Sequence, residues 1–534
     1  MLTRREFIGY SVSTLFLLSL NEKLFASDTP DVFPLGIASG DPKQNSIVLW
    51  TKLNPDVIKK GAEKLNLHIS NDPEFKKYQT IHIDLKRLNP KTSTLKITIS
   101  DLKPGTHYYY RFEYRGISSL VGKFRTLPNG KVDNEKIVFV KCQNYAEGFY
   151  TAYKHIAQEE ALMVVHLGHQ IYEKRYGDPL VSGRDIQFPS GKDIANTLED
   201  YIYLYNTYLS DKDYQLARAT TPFVYIWDDH EYANDYSFDY SKRLYALPTH
   251  PDWIKNNPKL VMELRKYAIY AWNAFTPADA KINFSSKDPL KWIKIYRDFK
   301  IGDLAHLICT DERSYKEPQP CGIGCKKIFG NTGCEDQYKT SMLGKGQKEW
   351  FFEKLKEKGQ RWKVWANAVQ FVESKVNNLF VSLDAWSGYL GEGKEIVDFL
   401  DKNKLYNTVI LTGNRYATLI AEVRKDNKNS DSMVAVEYMA PPMSSINDSE
   451  KPFYRKHLNL FSESVEEFTK LELEQNPWIR HINNKNWGYG VLELTKDYAD
   501  CKIWSVDKYN PNSDKQLDCH YRYLDSNREL KKIS

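Results

Sequence analysis

The stretch from residue 221 to residue 237, TPFVYIWDDHEYANDYS, joins a short apolar run to four consecutive ionisable side chains. Phe223 to Trp227 are aromatic or β-branched and follow Pro222, which predicts a buried strand because the run is too short for a typical helix. The ionisable residues, Asp228 to Glu231, come directly after this strand. Ligands bind at the carboxyl ends of strands in α/β sheets, and Asp and His ligate metal ions. The stretch therefore predicts a metal or catalytic site, with a solvated charged turn as the alternative.

Length and composition indicate a globular protein. A chain of 534 residues is too long for one ordinary core, so we expect two domains or one domain with large insertions. Contents of 41% hydrophobic and 27% charged residues are typical of a chain that buries a large core. The net charge of +6 is small for this length, and the sequence has no basic stripe with interleaved aromatic residues. We therefore expect no nucleic acid binding.

Residues 1–27 have the features of an export signal: a basic start, an apolar segment and a small-residue end. The hexapeptide TRREFI at residues 3–8 is close to the twin-arginine consensus, which predicts the twin-arginine export machinery as a partner. The alternatives are an ordinary secretory signal and an uncleaved anchor, although the apolar segment is shorter than the ~20 residues of a membrane span. We expect a mature protein without a transmembrane anchor, located in the periplasm or outside the cell.

Two patterns follow one another after this segment. Residues 29–128 contain short alternating strands and turn residues that predict a β-sandwich, and LKPGTHYYY at residues 102–110 is similar to the tyrosine corner of fibronectin type III domains. Residues 135–515 alternate strands with helical segments, among them a long helical stretch at residues 193–221, which predicts an α/β unit. We expect residues 516–534 to form a C-terminal tail.

Seven cysteines in an oxidising compartment leave at least one outside a disulfide. Cys321, Cys325 and Cys334 lie in a polar, Gly-containing stretch. We expect a disulfide among them rather than a zinc site, because a fourth nearby ligand is missing.

Polar clusters follow four of the predicted strands. Because strand ends in α/β proteins converge on one edge of a sheet, these clusters predict a shared metal site, and a metal pair there would hold a phosphate oxygen and activate a water. The clusters are Cys142; His166, His169 and Tyr172; Asp228 to Glu231; and Asn414 with Tyr416.

The chain resembles the alkaline phosphatase D (PhoD-like) family of metallophosphatases, which also includes a phospholipase D branch. The resemblance covers nearly the whole mature chain, in order, through the motifs FPLGIASGDPKQNSIVLWTKL, KCQNYAEGFYTAYKHIA, HLGHQIYE, PFVYIWDDHEYANDYS, IYRDFKIGDLAHLICTDERSY, MLGKGQKEWFFEKL, WKVWANAVQF, DAWSGY and LTGNRYATLIAEV. We therefore expect fold class α/β (α+β): an N-terminal fibronectin III-like β-sandwich followed by a four-layer metallophosphatase-type α/β sandwich with two central sheets.

The resemblance implies a site with iron and calcium that hydrolyses phosphomonoesters and phosphodiesters. Cys142 would match the family's thiolate ligand and Tyr172 its phenolate, a pair that suits ferric iron. Asp229 would match a ligand of the second metal, and His230 would reach the substrate phosphate, so both are candidate catalytic residues. Asp228 is a further candidate metal ligand.

The sequence departs from the family pattern at the metal ligands. His169 in GHQIY stands where the family has the bridging Asp of GDYIY, and Asn414 and Tyr416 in GNRY replace the Asp and His of GDVH. A carboxylate can bridge two cations, whereas a neutral imidazole binds one metal through one nitrogen. We therefore expect weaker binding of the usual cluster or the loss of one ion, with His169 and Asn414 as the altered metal ligands.

Two functional hypotheses follow. In the first, the site still catalyses, with one metal at Cys142, His169 and Tyr172 and another at Asp228 or Asp229. In the second, the chain keeps the fold and binds a phosphorylated or carboxylated ligand without catalysis, or acts structurally.

Three further residues have alternative roles. Arg415 is a candidate phosphate-binding residue, with a salt bridge to Asp228 or Glu231 as the alternative. Arg313 is expected to pair with its acidic neighbours rather than with phosphate. His166 is expected to be a hydrogen-bonded core histidine, and Tyr416 a packing residue.

Overall fold

The computed structural model describes residues 31–58, 64–321, 331–447, 449, 450, 462 and 464–534. The predicted signal, residues 1–27, lies outside the described residues. The described strands, numbered in chain order, are β1 (Ile37–Gly40), β2 (Ile47–Lys52), β3 (Leu65–Ser70), β4 (Gln79–Ile83), β5 (Thr94–Ile99), β6 (His107–Tyr114), β7 (Ile117–Ser118), β8 (Gly122–Arg125), β9 (Asn134–Val140), β10 (Met163–His166), β11 (Phe223–Tyr225), β12 (Ser237–Asp239), β13 (Leu244–Ala246), β14 (Arg297–Ile301), β15 (Ala305–Cys309), β16 (Trp362–Ala366), β17 (Lys375–Val376), β18 (Leu379–Phe380), β19 (Thr408–Thr412), β20 (Thr418–Arg424), β21 (Met433–Met439), β22 (Ile479–Asn483), β23 (Trp487–Thr495), β24 (Ala499–Val506), β25 (Gln516–Leu524) and β26 (Glu529–Lys532).

The described α-helices lie mainly between these strands. They are α1 (Thr151–Ile156), α2 (Leu198–Tyr208), α3 (Lys212–Thr220), α4 (Asp252–Lys255), α5 (Pro258–Phe275), α6 (Lys345–Lys356), α7 (Leu390–Lys402) and α8 (Val465–Gln475). The single long helical stretch predicted at residues 193–221 forms two helices instead. Asp211 separates them because its side chain accepts a hydrogen bond from the Tyr214 N–H at 3.0 Å and so caps the start of α3.

Ten strands form the larger sheet, in the order β26-β25-β24-β23-β9-β10-β11-β1-β2-β5. At its centre β9, β10 and β11 are parallel neighbours, with Val164 opposite both Val138 and Phe223. Alternate residues of β9 face opposite sides: Ile137 and Phe139 belong to one apolar cluster, while Val138 and Val140 belong to another. The central strands are therefore buried on both faces, as parallel strands in α/β proteins are.

Seven strands form the second large sheet, in the order β14-β15-β16-β19-β21-β20-β22. Its strands β15, β16, β19 and β21 are parallel neighbours. Side chains of this sheet, such as Val364 and Ile410, share one apolar cluster with Phe139 and Val165 of the larger sheet. The predicted mixed α/β class with two central sheets agrees with this arrangement, while the four-layer description stays a prediction.

The N-terminal strands divide between two sheets. Strands β1, β2 and β5 continue the ten-stranded sheet through a parallel bridge between Gly40 and Phe223, whereas β3, β4, β6, β7 and β8 form a separate sheet. Both groups share an apolar core that includes Leu49 and Phe112. The Lys103 N–H donates to the Tyr108 hydroxyl at 2.9 Å, which is the contact that the LKPGTHYYY motif predicts. The fibronectin III-like class of these strands stays a prediction.

The C-terminal residues are not a tail. Residues 516–524 and 529–532 form β25 and β26, which extend the ten-stranded sheet beyond the β23–β24 hairpin. Tyr523 and Leu530 are buried in the main apolar cluster. Alternation of polar and apolar residues in this segment pairs it with β24, so the prediction of a tail is corrected.

Cys321 and Cys334 form a disulfide with a Cα–Cα distance of 5.4 Å, in agreement with the expected disulfide, and Cys325 lies outside the described residues. Among the described residues, no helix combines the length and the apolar character needed to cross a membrane.

Candidate metal centre

The three parallel strands at the centre of the larger sheet end at one edge, and the predicted polar clusters meet there. Cys142 follows β9, His169 and Tyr172 follow β10, and Asp228 and Asp229 follow β11. The second sheet contributes Arg313 after β15 and Asn414 after β19. The structure therefore brings together most of the residues that the sequence pattern predicts for the site.

Several residues at this edge adopt left-handed backbone conformations. Cys142, His169, Asn414 and Tyr416 have φ angles of 58°, 56°, 73° and 65°. Such conformations cost a non-glycine residue of the order of 1 kcal/mol and persist where the surrounding structure holds them, often at functional sites. Gly168 has a φ angle of 100°. A side chain at this position would clash, because its Cβ would lie 2.5 Å from the backbone nitrogen of Asp228.

Two possible metal ligands, Cys142 and Tyr172, converge on a third, His169 Nδ1. Cys142 Sγ lies 3.1 Å from this nitrogen and Tyr172 Oη lies 3.4 Å from it. Tyr172 Oη is also 2.8 Å from Ser445 Oγ, which fixes the phenol. A thiolate, a phenolate and an imidazole nitrogen at these separations can surround one metal ion.

The other nitrogen of His169 faces a carboxylate. Its Nε2 lies 2.7 Å from Asp229 Oδ1. Burial lowers the pKa of His169 to about 4 despite Asp228 and Asp229, so the ring is neutral near pH 7. A carboxylate only accepts hydrogen bonds, so Nε2 carries the proton and Nδ1 presents its lone pair to Cys142 and Tyr172. Metal-ligating histidines are commonly oriented by a carboxylate in this way.

Asp228 is surrounded by cations of the chain itself. Its carboxylate accepts hydrogen bonds from Lys141 Nζ and Arg313 Nε, and all three side chains are no more than 1% exposed. Lys141 Nζ also donates to the Leu167 carbonyl at 2.8 Å. Burial opposes ionisation of Asp228, but Arg313 and Lys141 hold its pKa below the usual value. Asp228 is therefore ion-paired with Lys141 and Arg313, and its role as a metal ligand stays a prediction.

Arg313 links this pair to the second sheet. Its two terminal nitrogens donate to Asp384 at 2.6 and 2.8 Å, and Lys316 Nζ donates to the same carboxylate at 2.8 Å. Although burial opposes ionisation, these cations lower the pKa of Asp384 to about 2. Arg313 does pair with carboxylates, but its partners are Asp228 and Asp384, so the expected pairing with its sequence neighbours Asp311 and Glu312 is wrong.

His230 lies beside His169 and is held by Glu173. His230 Nδ1 is 2.6 Å from Glu173 Oε2, and the Asn234 N–H donates to the other carboxylate oxygen at 2.9 Å. Burial disfavours the charged imidazole, but Glu173 and Asp229 raise the pKa of His230 to about 9. With Nδ1 engaged by Glu173, Nε2 is the nitrogen that can meet a ligand.

Glu231 stabilises the turn after β11 through hydrogen bonds to backbone N–H groups. It accepts hydrogen bonds from the Gln170 N–H at 2.5 Å and the Asp228 N–H at 2.9 Å. Burial raises its pKa to about 7. Glu231 thus ties the loop after β10 to the loop after β11.

Two of the predicted site residues have other partners. Arg415 pairs with Glu472, to which its Nη2 donates at 2.6 Å, so the expected alternative partners, Asp228 and Glu231, are wrong. Asn414 Nδ2 donates to Asp384 Oδ2 at 3.2 Å. Arg415 as a phosphate ligand and Asn414 as a metal ligand stay predictions.

Two aromatic residues at the edge behave as expected. His166 is fully buried, with Nε2 3.1 Å from Gln143 Oε1, as expected of a core histidine. Tyr416 packs its ring against His169 at 6.0 Å between centroids, as expected of a packing residue.

Lys141, Glu173 and Asp384 were missed by the sequence reasoning. Lys141 carries a weak signal, since it is a charged residue between the apolar run IVFV at residues 137–140 and Cys142. Asp384 also belongs to a second group of possible ligands, because Asp229, Asp235 and Asp384 place one carboxylate oxygen each within 4.8 Å of one another. His169, Asp229 and His230 form another such group.

The fold and this cluster define an α/β protein with a candidate metal centre at the carboxyl ends of its strands, and comparisons identify the family. The family model described as PhoD-like phosphatase matches residues 137–503, and its N-terminal domain model matches residues 20–128. Alkaline phosphatase D of Bacillus subtilis (strain 168) is 30% identical over 425 residues, which span 77% of this chain and 69% of that protein. A solved structure of PhoD superimposes with a TM-score of 0.80 at 26% identity, covering 95% of this chain and 93% of that one.

The chain belongs to the PhoD-like phosphatase family, as its motifs indicated. Members of this family are metal-dependent, and the groups of possible ligands at the strand ends agree with that property.

Replacing Lys141 with methionine tests the buried ion pair. Asp228 would then keep only Arg313 as a cationic partner, and breaking a buried pair costs about 3–5 kcal/mol. We expect the free energy of unfolding, measured with a chemical denaturant, to fall by that amount. The control is Lys131→Met, at a side chain that is 74% exposed, which should change the stability by less than about 0.5 kcal/mol. Equal stability of the two variants would contradict the pairing.

Proposed function

We propose that this chain hydrolyses phosphate esters, both monoesters and diesters, at the edge formed by Cys142, His169 and Tyr172. The observation that carries the proposal is the convergence of these three donor side chains beside His230, in a member of a metal-dependent phosphatase family. The donor atoms and the imidazole of His230 lie on neighbouring strand ends, where α/β proteins bind their ligands.

The donor set favours one iron ion over a larger cluster. Thiolate, phenolate and imidazole ligands suit ferric iron, and Cys142, Tyr172 and His169 would hold it. Calcium takes about 6–8 oxygen ligands. The oxygen-rich group around Asp384 is already neutralised by Arg313 and Lys316. We therefore propose a single iron ion, without the calcium ions that the resemblance implies.

The side chains at this edge would have different roles in the reaction. A bound ferric ion supplies Lewis acidity toward a phosphoryl oxygen. Asp229 holds the proton on His169 Nε2 and so keeps Nδ1 directed at Cys142 and Tyr172. Glu173 orients His230, whose Nε2 donates to the substrate phosphate. Burial of these groups strengthens each contact by excluding bulk water.

The metal-free alternative has one observation in its favour. Asp228 and Asp384 are fully engaged with Lys141, Arg313 and Lys316, so this part of the edge is electrostatically satisfied by the chain alone. The alternative function is binding of a phosphorylated ligand, or a structural role, without catalysis.

Metal binding separates the two functions. After loading of the purified protein with ferric iron, we expect one iron per chain and a visible charge-transfer band from the Tyr172 phenolate. Tyr172→Phe should abolish the band, and the neighbouring Tyr416→Phe should retain it. Absence of stoichiometric iron in the wild type, or a band that survives Tyr172→Phe, would contradict the proposed centre.

Hydrolysis of an aryl phosphate monoester and diester tests the reaction. In the iron-loaded protein, His230→Ala should lower kcat/KM by about 10²–10⁴, the range for loss of a positioned proton-bearing group. His82→Ala, on the N-terminal strand β4, is the control and should keep full activity. If the iron-loaded wild type shows no turnover, the enzyme hypothesis is wrong. If His230→Ala keeps its turnover, the proposed role of His230 is wrong.

We further propose export to the periplasm or cell exterior through the twin-arginine route. The motif at residues 3–8 and the Cys321–Cys334 disulfide, which suits an oxidising compartment, support it. Replacing Arg4 and Arg5 with lysine should retain the chain in the cytoplasm, as measured by cell fractionation. An unchanged distribution would contradict this route.

A further inference from the structure

A groove of about 580 Å³ opens beside the candidate metal centre. Its walls come from the loop after β10 and from the segments around Asn144, Ile446 and Tyr509, together with Tyr208 of α2. The loop belongs to the polar insertion that the sequence places between the HLGHQIYE motif and the helical stretch. The groove is therefore built by segments outside the two central sheets.

The groove has an unusual concentration of exposed apolar side chains. Tyr176, Leu180 and Tyr509 are 50%, 48% and 42% exposed, and they are three of the nine large apolar residues exposed in the described part of the chain. Ala146 and Ile186 add further apolar surface to the walls. Clustered exposed apolar side chains in a concave surface mark a binding site more often than scattered ones do.

Several charged residues that line the groove have ion-pair partners. Arg175 contacts Asp178 at 3.1 Å, and Lys508 contacts Glu450 at 2.9 Å. Glu147 accepts a hydrogen bond from the Ile446 N–H at 2.7 Å. The lining has four acidic residues against two basic ones, Lys174 and Arg175, so the groove suits an uncharged organic group rather than a polyanion.

The groove is continuous with the centre through Tyr176. The Tyr176 hydroxyl lies 3.5 Å from His230 Nδ1, and the two rings are 5.7 Å apart, edge to face. At the other wall, Tyr208 donates to Asn144, two residues after Cys142, at 3.4 Å. Tyr176 thus contacts both His230 and the groove, so an organic group on a phosphate held at His230 could pass Tyr176 into the groove.

We infer that this groove binds the alcohol part of the substrate, and that this part is an apolar or aromatic alcohol. The inference rests on the proposed function. In the reaction, the oxygen of a water bonds to phosphorus, the bond from phosphorus to the alcohol oxygen breaks, and one proton of the water ends on that oxygen. The released alcohol leaves through the groove, and the phosphate stays at His230.

Two substrates of different size test the groove in the iron-loaded protein: 1-naphthyl phosphate, whose ring is large enough to enter it, and methyl phosphate, whose methyl group is too small to reach it. Leu180→Asn should raise KM for 1-naphthyl phosphate about tenfold, as expected for loss of an apolar contact in a binding pocket, and leave kcat/KM for methyl phosphate unchanged. Leu517→Asn is the matched control, because Leu517 is 41% exposed on β25 and should alter neither substrate. Equal effects of Leu180→Asn on both substrates, or on neither, would overturn the inference.

Equilibrium binding separates failure of the groove from failure of the proposed function. Fluorescence titration with 1-naphthol needs no turnover, and we expect wild type and Leu517→Asn to bind it about tenfold more tightly than Leu180→Asn. Equal binding by all three proteins would overturn the groove even if hydrolysis were observed. Discriminating binding without hydrolysis of either ester would overturn the proposed function and, with it, the leaving-group role.

Discussion

The buried carboxylate of Asp228 is the constraint on which the candidate centre depends. A buried charge without a partner costs several kcal/mol, so it must be paired. Lys141 supplies one partner from the end of β9 in the larger sheet, and Arg313 supplies the other from the end of β15 in the second sheet. Arg313 then reaches Asp384, and this chain of ion pairs joins the two sheets where their strands end. The edge that contains the candidate site is therefore stabilised by ion pairs, which offset the free energy cost of burying each charge.

This network also changes which atoms remain available for a metal. Asp228 and Asp384 carry fixed cations, whereas Cys142 and Tyr172 converge on the unprotonated nitrogen of His169. A carboxylate at position 169 would offer two oxygens and a negative charge, but the imidazole divides its nitrogens between the donor cluster and Asp229. The imidazole at position 169 and the cations paired with Asp228 and Asp384 both support the single-ion centre proposed above.

The groove extends the same edge outward. Tyr176 contacts His230 on one side and lies in the groove on the other, so a ligand could touch both the centre and the apolar walls. The strands of the two central sheets position the candidate ligands, while the loop after β10 lines the groove beyond them. Such a division between a rigid scaffold and binding loops is common in α/β proteins.

Much of this molecule was predictable from local sequence, because apolar periodicity and strand ends are encoded by neighbouring residues. The pattern identified the central strands, the clusters at Cys142, His169 and Asp229, a tyrosine-to-backbone contact within residues 102–110, and the family through its ordered motifs. It did not reveal which strands share a sheet, since residues 29–128 form an apparently separate unit in sequence but are divided between two sheets.

Only the tertiary structure decided the partners of the buried charges. Lys141 meets Asp228 across 87 residues, Arg313 meets Asp384 across 71, and Arg415 meets Glu472 across 57. No local pattern encodes such pairs, because a lysine or arginine can reach any carboxylate that folding brings within about 4 Å. The sequence by itself therefore determined where the polar clusters begin along the chain. The packing of the two sheets decided which of those side chains pair with each other and which remain to bind a ligand.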